Sequence, residues 1–254
     1  MTSWFTPPAP RVIAHRGLAV GAPENTLLAF LEALALGVTH LETDVHATSD
    51  GVAVISHDPD LGRLTGRATP ILQSSLADLQ RIDLGHDQRV PTLAEALHAF
   101  PDARFNIDIK SDEALRPAVA AIEHEKALDR VLVTSFDDTR RKAAVAALPG
   151  VATSPSSRGV VLAALAARLP LTALRRRSLR GLHALQVPES FRGVPIVTPT
   201  LIRAAHESGV EVHVWTINSP ADMRRLLELG VDGIITDRAD LGLEVLDDFE
   251  TAGG

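Results

Sequence analysis

Short β-branched runs alternate with longer helical patterns along the whole chain, and that rhythm restricts the fold more than any other feature. It marks βα units wound around a parallel sheet. RVIAHRG reads as a first strand, and ENTLLAFLEALALG as a helix with Asn25 or Thr26 as N-cap and Gly37 as its stop. THLETDV is a second strand, and Asp50-Gly51 marks a hairpin over HATSDGVAVISHD that returns His57 towards the end of that strand. Residues 58–92 are rich in turn formers and read as an insertion before the helix TLAEALHAF. ARFNIDIK, RVLVTSF, GVATSP, ALQVP, VEVHVWTIN and VDGIIT complete a set of eight strands, separated by helices such as EALRPAVAAIEHEKAL and SPADMRRLLELG. Eight βα units in 254 residues point to an α/β TIM (β/α)8 barrel forming one domain over 1–254. An open doubly wound sheet is the competing architecture.

Composition narrows the function classes. A formal charge of -7 argues against nucleic-acid binding through a general cationic surface. The absence of cysteine removes disulfides and thiolate chemistry. MTSWFTPPAP lacks the basic and apolar regions of a signal peptide. The apolar stretch from Gly159 is broken by Arg168 and Pro170 and is too short to cross a bilayer. A cytoplasmic protein without stable membrane insertion is expected. The run RRRSLR from Arg175 reads as a solvated face or helix end; contact with anionic lipid or substrate is the alternative, which the lack of an amphipathic apolar stripe nearby disfavours.

Chemistry-bearing residues gather at strand ends, where barrel enzymes place their catalytic groups. His15 ends the first strand, Glu42 and Asp44 lie near the end of the second, and Asp108 and Lys110 end the third. A period of two puts Glu42 with Asp44 on one face, and Asn106, Asp108 and Lys110 on one face of theirs. Three carboxylates converge if those faces point inward, and such oxygen donors suit one hard divalent cation, Mg²⁺ or Ca²⁺. Glu24 is a further acidic ligand or an outer acceptor. Arg16 and Lys110 can contact phosphate oxygens, and two imidazoles, His15 and His57, can give and take protons across one leaving group. Trp215 is divided evenly between core and substrate wall, and Asn218 is expected to cap the following helix. The remaining histidines are assigned no role; among them His213 shares a face with Trp215.

HRG at His15, PENT at Pro23, ETDV at Glu42, TSDG at Thr48, HD at His57, VPTLAEAL at Val90, DIK at Asp108, WTIN at Trp215 and GVDGIITD at Gly230 occur together in order. In this set the chain resembles the glycerophosphodiester phosphodiesterases, within the phospholipase C-like TIM-barrel phosphodiesterases. The resemblance implies a metal-dependent hydrolase that splits glycerophosphodiesters into glycerol 3-phosphate and an alcohol. His15 and His57 would be the acid/base pair, in either order with a lean towards His57 as base and His15 as acid, while Glu42, Asp44 and Asp108 would hold the metal. Asp108 stands where the family most often has glutamate, and Thr43 replaces a more usual apolar residue on the outward face. Alternatives are a lysophospholipase D-type or cyclising phosphodiesterase in the same barrel group, or a barrel that binds phosphodiesters without turnover.

Overall fold

The computed structural model describes residues 2–168 and 172–253. Its strands are β1 Arg11–His15, β2 His40–Ala47, β3 Ala53–Ile55, β4 Arg104–Ile109, β5 Val131–Thr134, β6 Ala152–Thr153, β7 Ala184–Pro188, β8 Ser190–Phe191, β9 Val194–Pro195, β10 Glu211–Trp215 and β11 Gly233–Thr236. The helices are α1 Leu27–Ala35, α2 Gly62–Thr65, α3 Leu76–Leu79, α4 Leu93–Ala99, α5 Asp112–His124, α6 Asp138–Ala147, α7 Ser157–Ala167, α8 Thr172–Leu179, α9 Pro199–His206, α10 Pro220–Leu229 and α11 Ala239–Gly253.

Eight parallel strands run in the order β6-β5-β4-β2-β1-β11-β10-β7, with β3 added antiparallel to β2. The sheet is a nearly closed barrel. At the seam, His183 N donates to Thr153 O at 2.9 Å, and the Ser154 hydroxyl donates to Gln186 Oε1 at 3.2 Å. The short β6 leaves side chains to finish what a longer ladder would close. All eight expected barrel strands form, and the end strands β6 and β7 meet across that seam, which an open doubly wound sheet would keep apart.

Alternation divides each strand between two cores. Outward residues such as Leu41, Phe105 and Ile107 pack against α1, α4 and α5, where Phe30 meets Phe105 edge to face. A second outer cluster joins Val212 and Val214 of β10 to Leu201, Leu226 and Leu227. Inside the barrel, Ile13, Leu132, Ala152, Ala184 and Ile235 surround Trp4, carried by a short 3₁₀ turn at Ser3–Phe5. Trp4 closes the barrel floor, and its indole N–H donates to Phe105 O at 3.2 Å. Polar inward residues are matched there. Arg11 pairs with Glu211, and His213 bonds Glu211 at 2.9 Å, fully buried beside Gly233, where a Cβ would come within 2.8 Å of its ring. His213 therefore belongs to the floor.

The hairpin and insertion also form as expected. Val45 faces Ile55 and Ala47 faces Ala53 across β2 and β3. Residues 58–92 carry α2 and α3 and supply Leu61, Ile71, Leu79 and Val90 to a small core built on Val54. Thr92 and Glu95 form a reciprocal capping box that starts α4, satisfying two backbone donors at once. Among the described residues no helix is long and apolar enough to cross a membrane. Residues 169–171, within the apolar stretch from Gly159, and the Arg175 side chain lie outside the described set.

Candidate active site

His15 reaches the site because β1 ends there and the chain turns sharply. Arg16 and Gly17 both adopt positive φ, and a Cβ on Gly17 would lie 2.6 Å from the Ala29 carbonyl carbon. Only glycine admits that approach of β1 to α1. His15 Nδ1 lies 2.6 Å from Asp237 Oδ1, and its Nε2 is 3.9 Å from Glu42 Oε2. Burial disfavours the imidazolium, yet the bond to Asp237 and the charge of Glu42 outweigh it and raise the His15 pKa above its ordinary value. Asp237 is itself gripped: Asn218 Nδ2 donates to its Oδ2 at 2.8 Å, and its backbone N–H donates to Asn218 Oδ1 at 2.9 Å. Asn218 thus orients Asp237; the cap of α10 is Ser219.

The carboxylates stand on the paired ends of β2 and β4, with Asp44 directly beside Asp108 in register. Lys110 Nζ bridges Asp44 Oδ1 and Asp108 Oδ2, each at 2.7 Å. Despite burial, Lys110 and Arg16 hold the Asp44 pKa below the ordinary carboxylate range. Glu42 accepts only the Arg16 backbone N–H, at 3.2 Å, among the described hydrogen bonds, and burial, then the Asp44 charge, push it up to about 8 against the pull of His15 and Lys110. Burial likewise raises Asp108, whose Oδ1 has no hydrogen-bond partner. The three carboxylates share the site, but Lys110 stands between two of them. Among the described residues no three acidic or histidine side chains are arranged as a metal centre. The candidate donors nonetheless suit a hard cation: all are carboxylate oxygens, and the buried Asp108 Oδ1 is without a hydrogen-bond partner.

Asn25, in PENT, takes positive φ and connects the layers. Its Nδ2 donates to Asp44 Oδ2 at 3.0 Å, while its Oδ1 accepts from Thr43 Oγ1 at 2.8 Å. Thr43 faces away from the barrel interior, as expected, yet its hydroxyl steadies the residue that steadies Asp44. The N-cap of α1 is Thr26.

His57 arrives from the hairpin. Its Nδ1 lies 2.8 Å from Asp58 Oδ1, and Arg63 Nε donates to Asp58 Oδ2 at 2.6 Å. Arg63 also binds Glu24, which accepts from Arg16 Nη1 at 2.9 Å. Glu24 therefore clamps two arginines. His57, Lys110 and His46 line a cavity of about 420 Å³, and His46 Nε2 donates to the His57 carbonyl at 3.2 Å. Beside it Trp215 meets Phe136 edge to face, and Lys110 Nζ lies 5.5 Å from the Phe136 ring centre. Trp215 is half-buried, with one side on the barrel core. A larger cleft of about 590 Å³ at the opposite strand ends, lined by Asp102, Arg104 and Arg130, contains none of these residues.

Residues 15–241 match the model of the glycerophosphoryl diester phosphodiesterase family. The chain belongs to this family. A Mycobacterium tuberculosis protein named "Probable glycerophosphodiester phosphodiesterase 2" is 43% identical over 236 residues, covering 92% of this chain and 89% of that one. The glycerophosphodiester phosphodiesterase of Caldanaerobacter subterraneus subsp. tengcongensis is 31% identical over 245 residues, with 89% and 93% covered. Among solved structures, an Oleispira antarctica phosphodiesterase in complex with the product sn-glycerol-3-phosphate superposes with a TM-score of 0.77 at 25% identity, covering 94% and 97%. The family's members are phosphoric diester hydrolases on a TIM barrel, the fold described above.

Asp237, His46 and Asn25 contribute to the site without having been given a site role from the sequence. Asp237 closes GVDGIITD and shares the inward face of Gly233 and Ile235, so strand alternation alone could have found it. His46 follows Glu42 and Asp44 by the same period of two. Asn25 carried no signal beyond its place in PENT, because a positive φ and a buried amide are not visible in residue type.

Proposed function

We propose that this protein, acting as one barrel unit, hydrolyses glycerophosphodiesters to glycerol 3-phosphate and an alcohol with the help of one Mg²⁺ or Ca²⁺. The observation that carries this reading is the placement of two histidines, each with Nδ1 against a carboxylate, at the same end of a barrel as a buried acidic cluster. The product complex of the Oleispira antarctica relative supports the glycerophosphate half of the substrate.

Glu42, Asp44 and Asp108 would hold the cation, which when bound supplies positive charge to phosphate oxygens and lowers the cost of charge developing there. Arg16 and Lys110 add cationic hydrogen-bond donors for the same anion. His57, donating Nδ1–H to Asp58, keeps its Nε2 lone pair as a base for the glycerol 2-hydroxyl. His15, whose raised pKa favours the protonated ring, gives its Nε2 proton to the leaving alcohol oxygen. The attacking 2-oxygen forms the new P–O bond as the alcohol leaves, giving a cyclic phosphate. Water then opens the ring with the two histidines in exchanged roles. Trp215 and Phe136 form an aromatic wall of the mouth where the alcohol would lie. The reaction needs no disulfide and no membrane-spanning segment, in keeping with a cytoplasmic enzyme.

Phosphorus NMR of glycerophosphocholine incubated with the protein and Mg²⁺ or Ca²⁺ tests the reading. Conversion to glycerol 3-phosphate with release of choline is expected. A cyclic phosphate that accumulates without opening, or turnover confined to lysophosphatidylcholine, would replace it by the cyclising or lysophospholipase D-type alternative. Binding without turnover of either would leave a non-catalytic barrel.

A further inference from the structure

Helix α7 carries its small residues inside and its large ones outside. Ala163, Ala164, Ala166 and Ala167 are buried, whereas Val161, Leu162 and Leu165 are 53%, 61% and 52% exposed. Helical spacing places these three on one stripe with Arg158 before them and Arg168 after them, both exposed. Helix α8, which packs beside α7 through Leu179, presents Arg176, Arg177 and exposed Leu174. The apolar stripe missing from the sequence around RRRSLR is supplied by the neighbouring helix.

The exposed side chains named on this stripe are apolar or cationic. No Asp or Glu occurs between Asp138 and Glu189 in a chain of formal charge -7, and Asp138 meets α7 only at its N-cap, accepting from Ser156 Oγ at 3.2 Å. Among the described residues no ion pair joins Arg158, Arg168, Arg176 or Arg177 to a carboxylate; Arg168 Nη2 donates to Pro195 O at 3.0 Å. The surface also continues to the catalytic mouth: Ser157 N, at the start of α7, donates to the carbonyl of Phe136, which packs on Trp215.

We propose that the α7–α8 face docks the protein on an anionic lipid bilayer. Large apolar side chains rimmed by long arginines form the pattern that seats a helix in the headgroup region, with aliphatic side chains in the acyl boundary and guanidinium groups at the phosphates. A two-fold contact with a second copy would bring the same arginines towards one another, which disfavours self-association through this face. Docking there places the mouth beside the membrane, from which diesters that retain an acyl chain can enter. The proposal concerns binding alone and stands whatever the enzyme's soluble substrate is.

Co-sedimentation of the full chain with vesicles of phosphatidylcholine, or of equal parts phosphatidylcholine and phosphatidylglycerol, provides the test. Binding is expected only to the anionic vesicles and should decline with added salt. The double variant L162D/L165D should weaken it at least about tenfold, and R158Q and R176Q should each weaken it about fivefold. Unchanged circular dichroism and unchanged turnover of soluble glycerophosphodiester would show that these surface variants fold. No preference for anionic vesicles, or binding by L162D/L165D equal to that of the parent, would overturn the proposal. So would a dimer in sedimentation velocity that L162D/L165D dissociates, which would assign the face to a second copy.

Discussion

His15 Nδ1 and Asp237 Oδ1 lie 2.6 Å apart, joining the end of the first barrel strand to the residue that follows the last. The contact exists because β1 and β11 are paired neighbours in the barrel, so that pairing sets the orientation of the proposed acid. Asp237→Asn should lower the His15 pKa and reduce kcat at least about 10²-fold. Because the raised pKa stabilises the fold below about 6.5 and that contribution fades as pH rises through the folded value, the variant should lose more stability near pH 6 than near pH 9. Histidine NMR titration and thermal melts at the two pH values check both effects; an unmoved His15 titration would separate the two residues functionally.

Lys110 neutralises two buried acids at once. Replacing it with Met should cost about 3–5 kcal/mol, because Asp44 and Asp108 are left side by side without a counter-charge. Urea denaturation in the presence of chelator measures this directly. A loss below about 1 kcal/mol, well short of what an orphaned buried charge costs, would mean that the bridge does not hold the acids.

Arg63 should separate activity from stability. Its side chain is 47% exposed, so its ion pairs to Glu24 and Asp58 contribute less than about 1 kcal/mol. The same pairs set His57 through Asp58 and Arg16 through Glu24. Arg63→Ala is therefore expected to lower kcat/KM about tenfold with a nearly unchanged melting temperature; a large stability loss with normal kcat/KM would reverse the assignment.

His40 makes the barrel floor acid-sensitive. Its Nε2–H donates to Trp4 O at 2.6 Å and its Nδ1 accepts from Thr39 Oγ1 at 2.9 Å, which satisfies the neutral ring on both sides. Burial, against the bond to Trp4, depresses its pKa to about 3. Below pH 6.5 the unfolded chain takes up a proton that the folded His40 refuses, so stability should fall by roughly 4 kcal/mol between pH 6.5 and 3 from this group. His40→Gln should flatten that part of the stability profile. An equally steep profile in the variant would place the acid sensitivity elsewhere.

Much of the fold and site is legible in the residues. Alternation of strand and helix patterns marks the eight barrel strands, Asp50-Gly51 marks the hairpin that delivers His57, and the period of two puts Glu42, Asp44, Asp108 and Lys110 on inward faces. What escapes is set by tertiary proximity. Asn218 reads locally as a helix cap, yet Ser219 takes that position and frees Asn218 to hold Asp237 from a neighbouring strand. Lys110 reads as a phosphate ligand, but its distance from Asp44 depends on the β2–β4 register. The exposed leucines of α7 and the arginines of α8 are separated along the chain and meet only when the helices pack.

The most direct measurement is glycerol 3-phosphate release from glycerophosphocholine by the parent protein and by His15→Ala and His57→Ala, each with Mg²⁺, Ca²⁺ or chelator. The proposed mechanism predicts turnover by the parent with a divalent cation, its loss on chelation, and a fall of about 10²-fold or more in each variant. Undiminished release by either histidine variant, or by the parent in chelator, would contradict it.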